Sequence, residues 1–167
     1  MEVFQRLYFD TNIFIGLGEE IGARQQVLNA ITALRMKNGR PFICTSELTL
    51  AELLVRPLRE KDEAMVRFYE NWITPDSAWL DVRPVTRNVL WSAALVRRDY
   101  PRVKLPDAIH LATAIDFKCS HFLTADKKVP DQVHVATDHL GYSRPSPILT
   151  VIEPTPNILQ SILSDRA

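Results

Sequence analysis

LPDAIHLATAIDFKCSHFLTAD, Leu105 to Asp126, is the stretch whose reading decides the fold. Pro106 and Asp107 mark a helix start, because proline suits the first turn and a carboxylate there meets unpaired N–H groups. Ala108, Ile109, Ala112, Ala114 and Ile115 continue a helix of small apolar residues, suited to close packing on a sheet. His121 to Thr124 is a short apolar run closed by Ala125 and Asp126, the pattern of a buried strand with an acid at its carboxyl end. One helix–strand unit thus puts one carboxylate before a helix and another after a strand. Ligands of open α/β sheets sit beside the carboxyl ends of strands, so the next question is which other groups reach that edge.

Working outward, Arg6 to Asp10 (RLYFD) predicts a strand ending in a carboxylate, followed by Thr11-Asn12, which favour turns and caps. The run GLGEEIG, with Gly16, Gly18 and Gly22, misses the dinucleotide fingerprint by one residue. It also lacks the acidic partner further on, which excludes a Rossmann cofactor site. Ala23 to Asn38 predicts an amphipathic helix stopped by Gly39. Pro41 to Thr45 predicts a second strand, after which Ser46 caps the helix SELTLAELLV. Glu52 stands there among apolar neighbours, a costly place for a carboxylate unless it is paired or bound to a cation.

Trp79 to Val85 is a third strand candidate, with helices predicted over Glu60–Thr74 and Thr86–Tyr100. Val133–Ala136 and Ile148–Ile152 are further strand candidates, and Asn157–Ser164 a short final helix. Pro145, Pro147, Pro154 and Pro156 make residues 144–157 an irregular or edge segment. The alternation of short strands and helices predicts an α/β fold with a mainly parallel sheet between helices.

A chain of 167 residues is most simply one domain with room for a proper core. No apolar run reaches the roughly 18 residues of a membrane helix, and MEVFQRLYFD lacks the basic and apolar regions of a secretory leader. Cys44 and Cys119 are too few to staple a domain of this size and read as reduced core thiols, which suits the cytoplasm. Lys+Arg and Asp+Glu number 20 each, so any attraction for a polyanion must come from local basic clusters or a metal.

Asp10, Glu52, Asp107 and Asp126 are the candidate site acids. Singly, each has an ordinary role: Asp10 as a turn cap, Asp107 as a helix cap, Asp126 as a loop opener, Glu52 as a solvent-facing residue. Together, two end strands and two lie near helix starts on the sheet, so all four can reach one edge. Four carboxylates about 5 Å apart repel by roughly 3 kcal/mol per pair at an effective dielectric near 20. Hard oxygen ligands without paired thiolates or imidazoles select Mg²⁺ or Mn²⁺ over Zn²⁺, and such an ion activates water for attack on phosphorus. The acids therefore point to a metal-dependent phosphodiesterase. On this view, Asp10→Asn and Asp107→Asn are both expected to raise the melting temperature of the metal-free protein by removing repulsion.

LYFDTNIF, SELTLAELL, LPDAIHLATA and HFLTAD, in that order, resemble the PIN-domain ribonucleases, and DAIHLATA resembles the VapC-like toxins of bacterial toxin–antitoxin modules. The likeness runs from about Leu7 to Asp126. It implies a PIN-like three-layer α/β/α sandwich and a Mg²⁺- or Mn²⁺-dependent endoribonuclease with catalytic and metal-binding acids at Asp10, Glu52, Asp107 and Asp126. It further implies Asn12 and Thr124 as polar supports, an RNA substrate, an antitoxin partner and a homodimer. The domain is expected over residues 1–138, with 139–167 as a C-terminal extension packed on it.

Arg97, Arg98, Arg102 and Lys104 precede Asp107, and Lys127 and Lys128 follow Asp126. Arg97, Arg98, Lys127 and Lys128 are the candidate phosphate contacts, against the plainer reading of solvated charge. His110 reads as a hydrogen-bonded helix histidine that can touch the site. His134, Asp138 and His139 form no recognised metal spacing and read as surface residues. Two other functions compete: a non-catalytic RNA-binding module of the same fold, and an Asp10-nucleophile phosphatase. FDTNIF resembles the opening of the latter class, but Asn12 replaces its second aspartate.

Overall fold

The computed structural model describes residues 4–19, 21–36, 38–139 and 142–166. Eight strands occur among them: β1 (Leu7–Phe9), β2 (Ile43–Ser46), β3 (Leu80–Arg83), β4 (His121–Leu123), β5 (Gln132–Val133), β6 (Ala136–His139), β7 (Tyr142–Pro145) and β8 (Leu149–Ile152). The helices are α1 (Thr11–Glu19), α2 (Ala23–Thr32), α3 (Glu47–Glu60), α4 (Glu63–Trp72), α5 (Arg87–Asp99), α6 (Leu105–Asp116) and α7 (Pro156–Arg166). Six strands form one sheet in the order β3-β2-β1-β4-β8-β5, parallel except for β5 at its edge. β6 and β7 pair separately as an antiparallel ribbon.

Successive side chains of a strand point to opposite faces of the sheet, and here that alternation builds two cores. Leu7, Phe9, Ile43, Leu123 and Ile152 join one, with Ile13, Phe14 and Leu17 of α1, Leu28 and Ile31 of α2, and Leu159 and Ile162 of α7. Tyr8, Cys44, Phe122 and Leu149 join the other, with Val89, Ala93 and Val96 of α5 and the small residues Ala108, Ala112 and Ala114 of α6. Helices on both faces of a mainly parallel sheet make the three-layer α/β/α sandwich. Cys44 and Cys119 are buried free thiols.

Several expectations are corrected by tertiary packing. Thr11 and Asn12, residues that favour turns and caps, open a helix absent from the predicted elements, and Gly16 and Gly18 lie inside it. Glycine costs a helix about 1 kcal/mol relative to alanine, but Ile13, Phe14 and Leu17 are all buried and hold α1 on the sheet. The predicted Ala23–Asn38 helix stops at Thr32, where the chain turns back so that the Met36 amide donates to the Arg40 carbonyl at 2.9 Å. The Pro-rich tail is not an edge: β8 is flanked by β4 and β5. Pro147 and Pro154 fall outside the paired residues of β8 and remove no ladder donor. Val133–Ala136, predicted as one strand, is divided between β5 and β6.

The order 3-2-1-4 places β1 where the winding of the sheet reverses. In such sheets, the carboxyl ends of the two strands at the reversal flank the binding crevice. Here those strands are β1 and β4.

Candidate active site

Asp10 follows β1 directly, and its backbone amide donates to the Leu123 carbonyl of β4 at 3.1 Å. Its carboxylate is nearly enclosed. Oδ1 accepts from the Thr11 amide at 2.8 Å, while Oδ2 accepts from Asn12 Nδ2 at 2.7 Å and from the Thr124 hydroxyl at 2.6 Å. Asn12 Nδ2 also donates to Thr124 Oγ1 at 2.9 Å, and its Oδ1 accepts from the Ala125 amide at 2.9 Å. Asn12 thus fastens the end of β1 to the end of β4. Thr124 Oγ1 accepts from the Asp126 amide at 3.0 Å, which fixes the loop carrying the fourth acid.

Glu52 is on the second turn of α3, whose start is set by Ser46: its Oγ accepts from the Leu48 amide at 3.1 Å. Glu52 Oε2 accepts from the Thr11 hydroxyl and from His110 Nε2, the latter at 2.9 Å. Partial burial opposes ionisation, but the hydrogen bonds from His110 and Thr11 outweigh it and hold the carboxyl below the ordinary glutamate range.

Asp107 lies in the first turn of α6 and accepts no hydrogen bond from a described residue. Burial pushes its carboxyl up, and the charges of Asp10 and Asp126, with a lesser one from Glu52, push it further, while His110 opposes them. All four acids therefore share one electrostatic neighbourhood, though they come from four different places in the fold. By donor chemistry the set fits a hard divalent cation. By distance it is open: among the described residues, no three His, Cys, Asp or Glu side chains are close enough to hold one ion.

Residues 7–134 match the family model for the PIN domain. The chain belongs to the PIN domain family. No curated protein matches it in sequence. Among solved structures, a chain of a toxin–antitoxin complex from Klebsiella pneumoniae is 22% identical. It aligns over 89% of this chain and 98% of its own length, with a TM-score of 0.56. The sarcin–ricin-loop-cleaving toxin VapC20 of Mycobacterium tuberculosis is 21% identical over 72% of this chain and 90% of its own, with a TM-score of 0.55. At these identities the likeness is one of fold.

In this PIN domain the basic candidates stand apart from the acids' hydrogen-bond network. Arg97 and Arg98 are exposed in the last turn of α5; Arg98 pairs with Asp99 at 2.6 Å and donates to the Ala136 carbonyl at 3.3 Å. Lys127 Nζ is 3.9 Å from Glu153, and Lys128 is exposed. His134 is exposed, while the side chains of Asp138 and His139 lie outside the described residues. Glu52 also borders a groove of about 270 Å³ whose lining mixes apolar Ile15, Leu53 and Met65 with charged Arg56, Glu60 and Asp62. No described helix is long and apolar enough to cross a membrane.

Two contributors escaped the sequence reading. Thr11 touches both Asp10 and Glu52, yet a threonine after a strand looks like a turn residue. Tyr8 is buried in the sheet with its hydroxyl 2.7 Å from His110 Nδ1, and nothing local distinguishes it from a core aromatic.

Proposed function

We propose that this PIN domain is a divalent-metal-dependent endoribonuclease and that it acts as the toxin of a toxin–antitoxin pair. The observation that carries the reading is Asp107, which has no donor among the described residues and lies within reach of the like charges of Asp10, Asp126 and Glu52. Neighbouring carboxylates that lack a counter-charge are a standing cost to a fold, and a bound cation removes it. The four acids would hold Mg²⁺ or Mn²⁺, which supplies charge neutralisation at phosphate and an acidified water. The chain's own part is to keep the acids ionised and aimed. Asn12 and Thr124 orient Asp10, and Thr11 and His110 keep Glu52 deprotonated.

Arg97, Arg98, Lys127 and Lys128 are the proposed phosphate contacts. With neutral net charge, they give weak non-specific RNA affinity. The shared fold with a toxin–antitoxin complex chain and with a sarcin–ricin-loop-cleaving toxin supports an RNA substrate and an antitoxin. The groove beside Glu52, apolar at Ile15, Leu53 and Met65 and charged at Arg56, Glu60 and Asp62, supports a protein segment as that partner. Exposed Leu90 and Trp91 on α5 and Leu105 at the start of α6 support a homodimer. Residues 139–167 act as an extension that completes the domain, and the free thiols of Cys44 and Cys119 support a reducing, cytoplasmic setting. The phosphatase reading is disfavoured because three donors already occupy the Asp10 carboxylate.

The test is RNA cleavage by purified protein in Mg²⁺ or Mn²⁺, with and without EDTA. Cleavage that stops on chelation and in Asp107→Asn supports the reading. Undiminished cleavage after thorough chelation overturns the metal mechanism, and RNA binding without cleavage favours the non-catalytic module.

A further inference from the structure

We propose that His110 is a positioning residue for Glu52, locked by Tyr8, so that α6 determines which oxygen of Glu52 is presented to the acidic crevice. The inference rests on reading that crevice as the cleavage site.

His110 is 1% exposed and three residues after Asp107, which places both on one face of α6. Both ring nitrogens are used. Nδ1 is 2.7 Å from the Tyr8 hydroxyl and Nε2 is 2.9 Å from Glu52 Oε2. An ionised carboxylate only accepts, so Nε2 carries the proton towards Glu52. Nδ1 pairs with the Tyr8 hydroxyl, which can donate or accept. The Tyr8 ring is itself immobilised, stacked on Phe122 with centroids 5.1 Å apart and planes within 6°.

The chain of contacts thus runs from the sheet outward, from the Tyr8 hydroxyl through His110 to Glu52. Thr11 donates to the same carboxylate oxygen. With both donors on Oε2, Oε1 receives no hydrogen bond from a described residue and is the oxygen left for a ligand. Nε2 also lies 4.0 Å from Asp10 Oδ1, so the ring stands between two of the acids. A histidine serving only the core would have no reason to commit a ring nitrogen to a carboxylate whose side chain is 34% exposed. Packing alone at this position would be met by leucine.

Three variants separate positioning from packing. His110→Leu keeps the volume and loses both bonds. His110→Gln places an amide nitrogen near the position of Nε2 and keeps the donor to Glu52. Tyr8→Phe leaves the imidazole and frees its far side. Mn²⁺ affinity by titration calorimetry, melting temperature, and kcat and KM for a short RNA are measured on each. Loss of an orienting partner of a metal ligand typically costs about 10–100-fold in affinity or activity. His110→Leu is expected to lose at least about tenfold in both Mn²⁺ affinity and kcat with KM for RNA little changed. His110→Gln should recover most of that loss, and Tyr8→Phe should fall between the two.

Equal Mn²⁺ affinity in wild type, His110→Leu and His110→Gln overturns the positioning role while leaving the cleavage site standing. The same holds if melting temperature alone changes. Should His110→Leu fail to fold, the comparison of wild type, His110→Gln and Tyr8→Phe decides in the same way. A wild-type protein that neither binds Mn²⁺ nor cleaves RNA overturns the underlying reading, and the positioning role with it.

Discussion

Asp10 accepts three hydrogen bonds, from the Thr11 amide, the Asn12 side chain and the Thr124 hydroxyl; Asp107 accepts none from a described residue and is held above the ordinary aspartate range. Both are aspartates at the same edge of one sheet. The strand-end acid is built into the tie between β1 and β4, so its charge is already shared among the chain's own donors. The helix-start acid is placed by α6 and left with its charge unmatched. One is part of the fold, and the other burdens it until something binds.

The expectation that Asp10→Asn and Asp107→Asn both stabilise the metal-free protein is thereby divided. The largest expected effect is on activity: either substitution lowers RNA cleavage by at least about 10²-fold. Their stabilities should diverge. Asp107→Asn removes repulsion and raises the metal-free melting temperature by a few degrees, about 2–4 °C for each kcal/mol gained. Asp10→Asn brings an NH₂ group against the donors of Asn12 and Thr124 and lowers it. A shared sign, read by calorimetry without metal, breaks the comparison.

Next in size is Asn12→Ala, which removes three hydrogen bonds at the junction of β1 and β4. It is expected to cost about 1–3 kcal/mol in denaturant unfolding. A saturating divalent ion sharpens the same contrast: Mg²⁺ at about 100 times its dissociation constant adds roughly 2.7 kcal/mol to wild type and distinctly less to Asp107→Asn.

The pH dependence is smaller and has a definite sign. The Asp107 carboxyl is raised in the fold, so the metal-free native state binds more protons there than the unfolded chain. Its contribution to stability is complete below its unfolded value of 3.8 and is lost as pH rises through the folded value. Glu52, lowered from 4.5, contributes above that pH and loses the contribution as pH falls through its folded value. The stability difference between Asp107→Asn and wild type should therefore grow from acid to neutral pH, as a series of melting curves will show. Smallest of all, Lys127→Ala with Lys128→Ala is expected to weaken RNA binding a few-fold and reduce the salt slope by about one for each phosphate no longer neutralised.

Legibility followed how local the cause was. The α6–β4 unit could be read because its signals are adjacent: Pro106 and Asp107 at the start, small residues on the packed face, an apolar triplet after. Asp10 and Asp126 could be placed because strand ends lie at predictable positions. α1 could not, since Gly16 and Gly18 speak against a helix and only the burial of Ile13, Phe14 and Leu17 reverses them. The place of β8 was hidden because prolines advertise an edge, while position in a sheet is decided by partners far along the chain. The same holds for Tyr8 and Thr11, whose roles depend on α6 and α3 arriving beside β1.

β8 joins β4 to β5, and β5 is paired with no other described strand. On the ribosome, β4 can dock on β1 once Leu123 has emerged, yet its outer edge stays open until Leu149–Ile152 follow. Parallel pairing across such separations is slow, and open edges invite misassociation. The half-sheet is thus an unprotected intermediate for the time needed to make about thirty more residues, roughly 2–6 s at about 5–20 residues per second. A nascent chain halted before Leu149 should remain protease-sensitive at β4 even with every proposed site acid already synthesised.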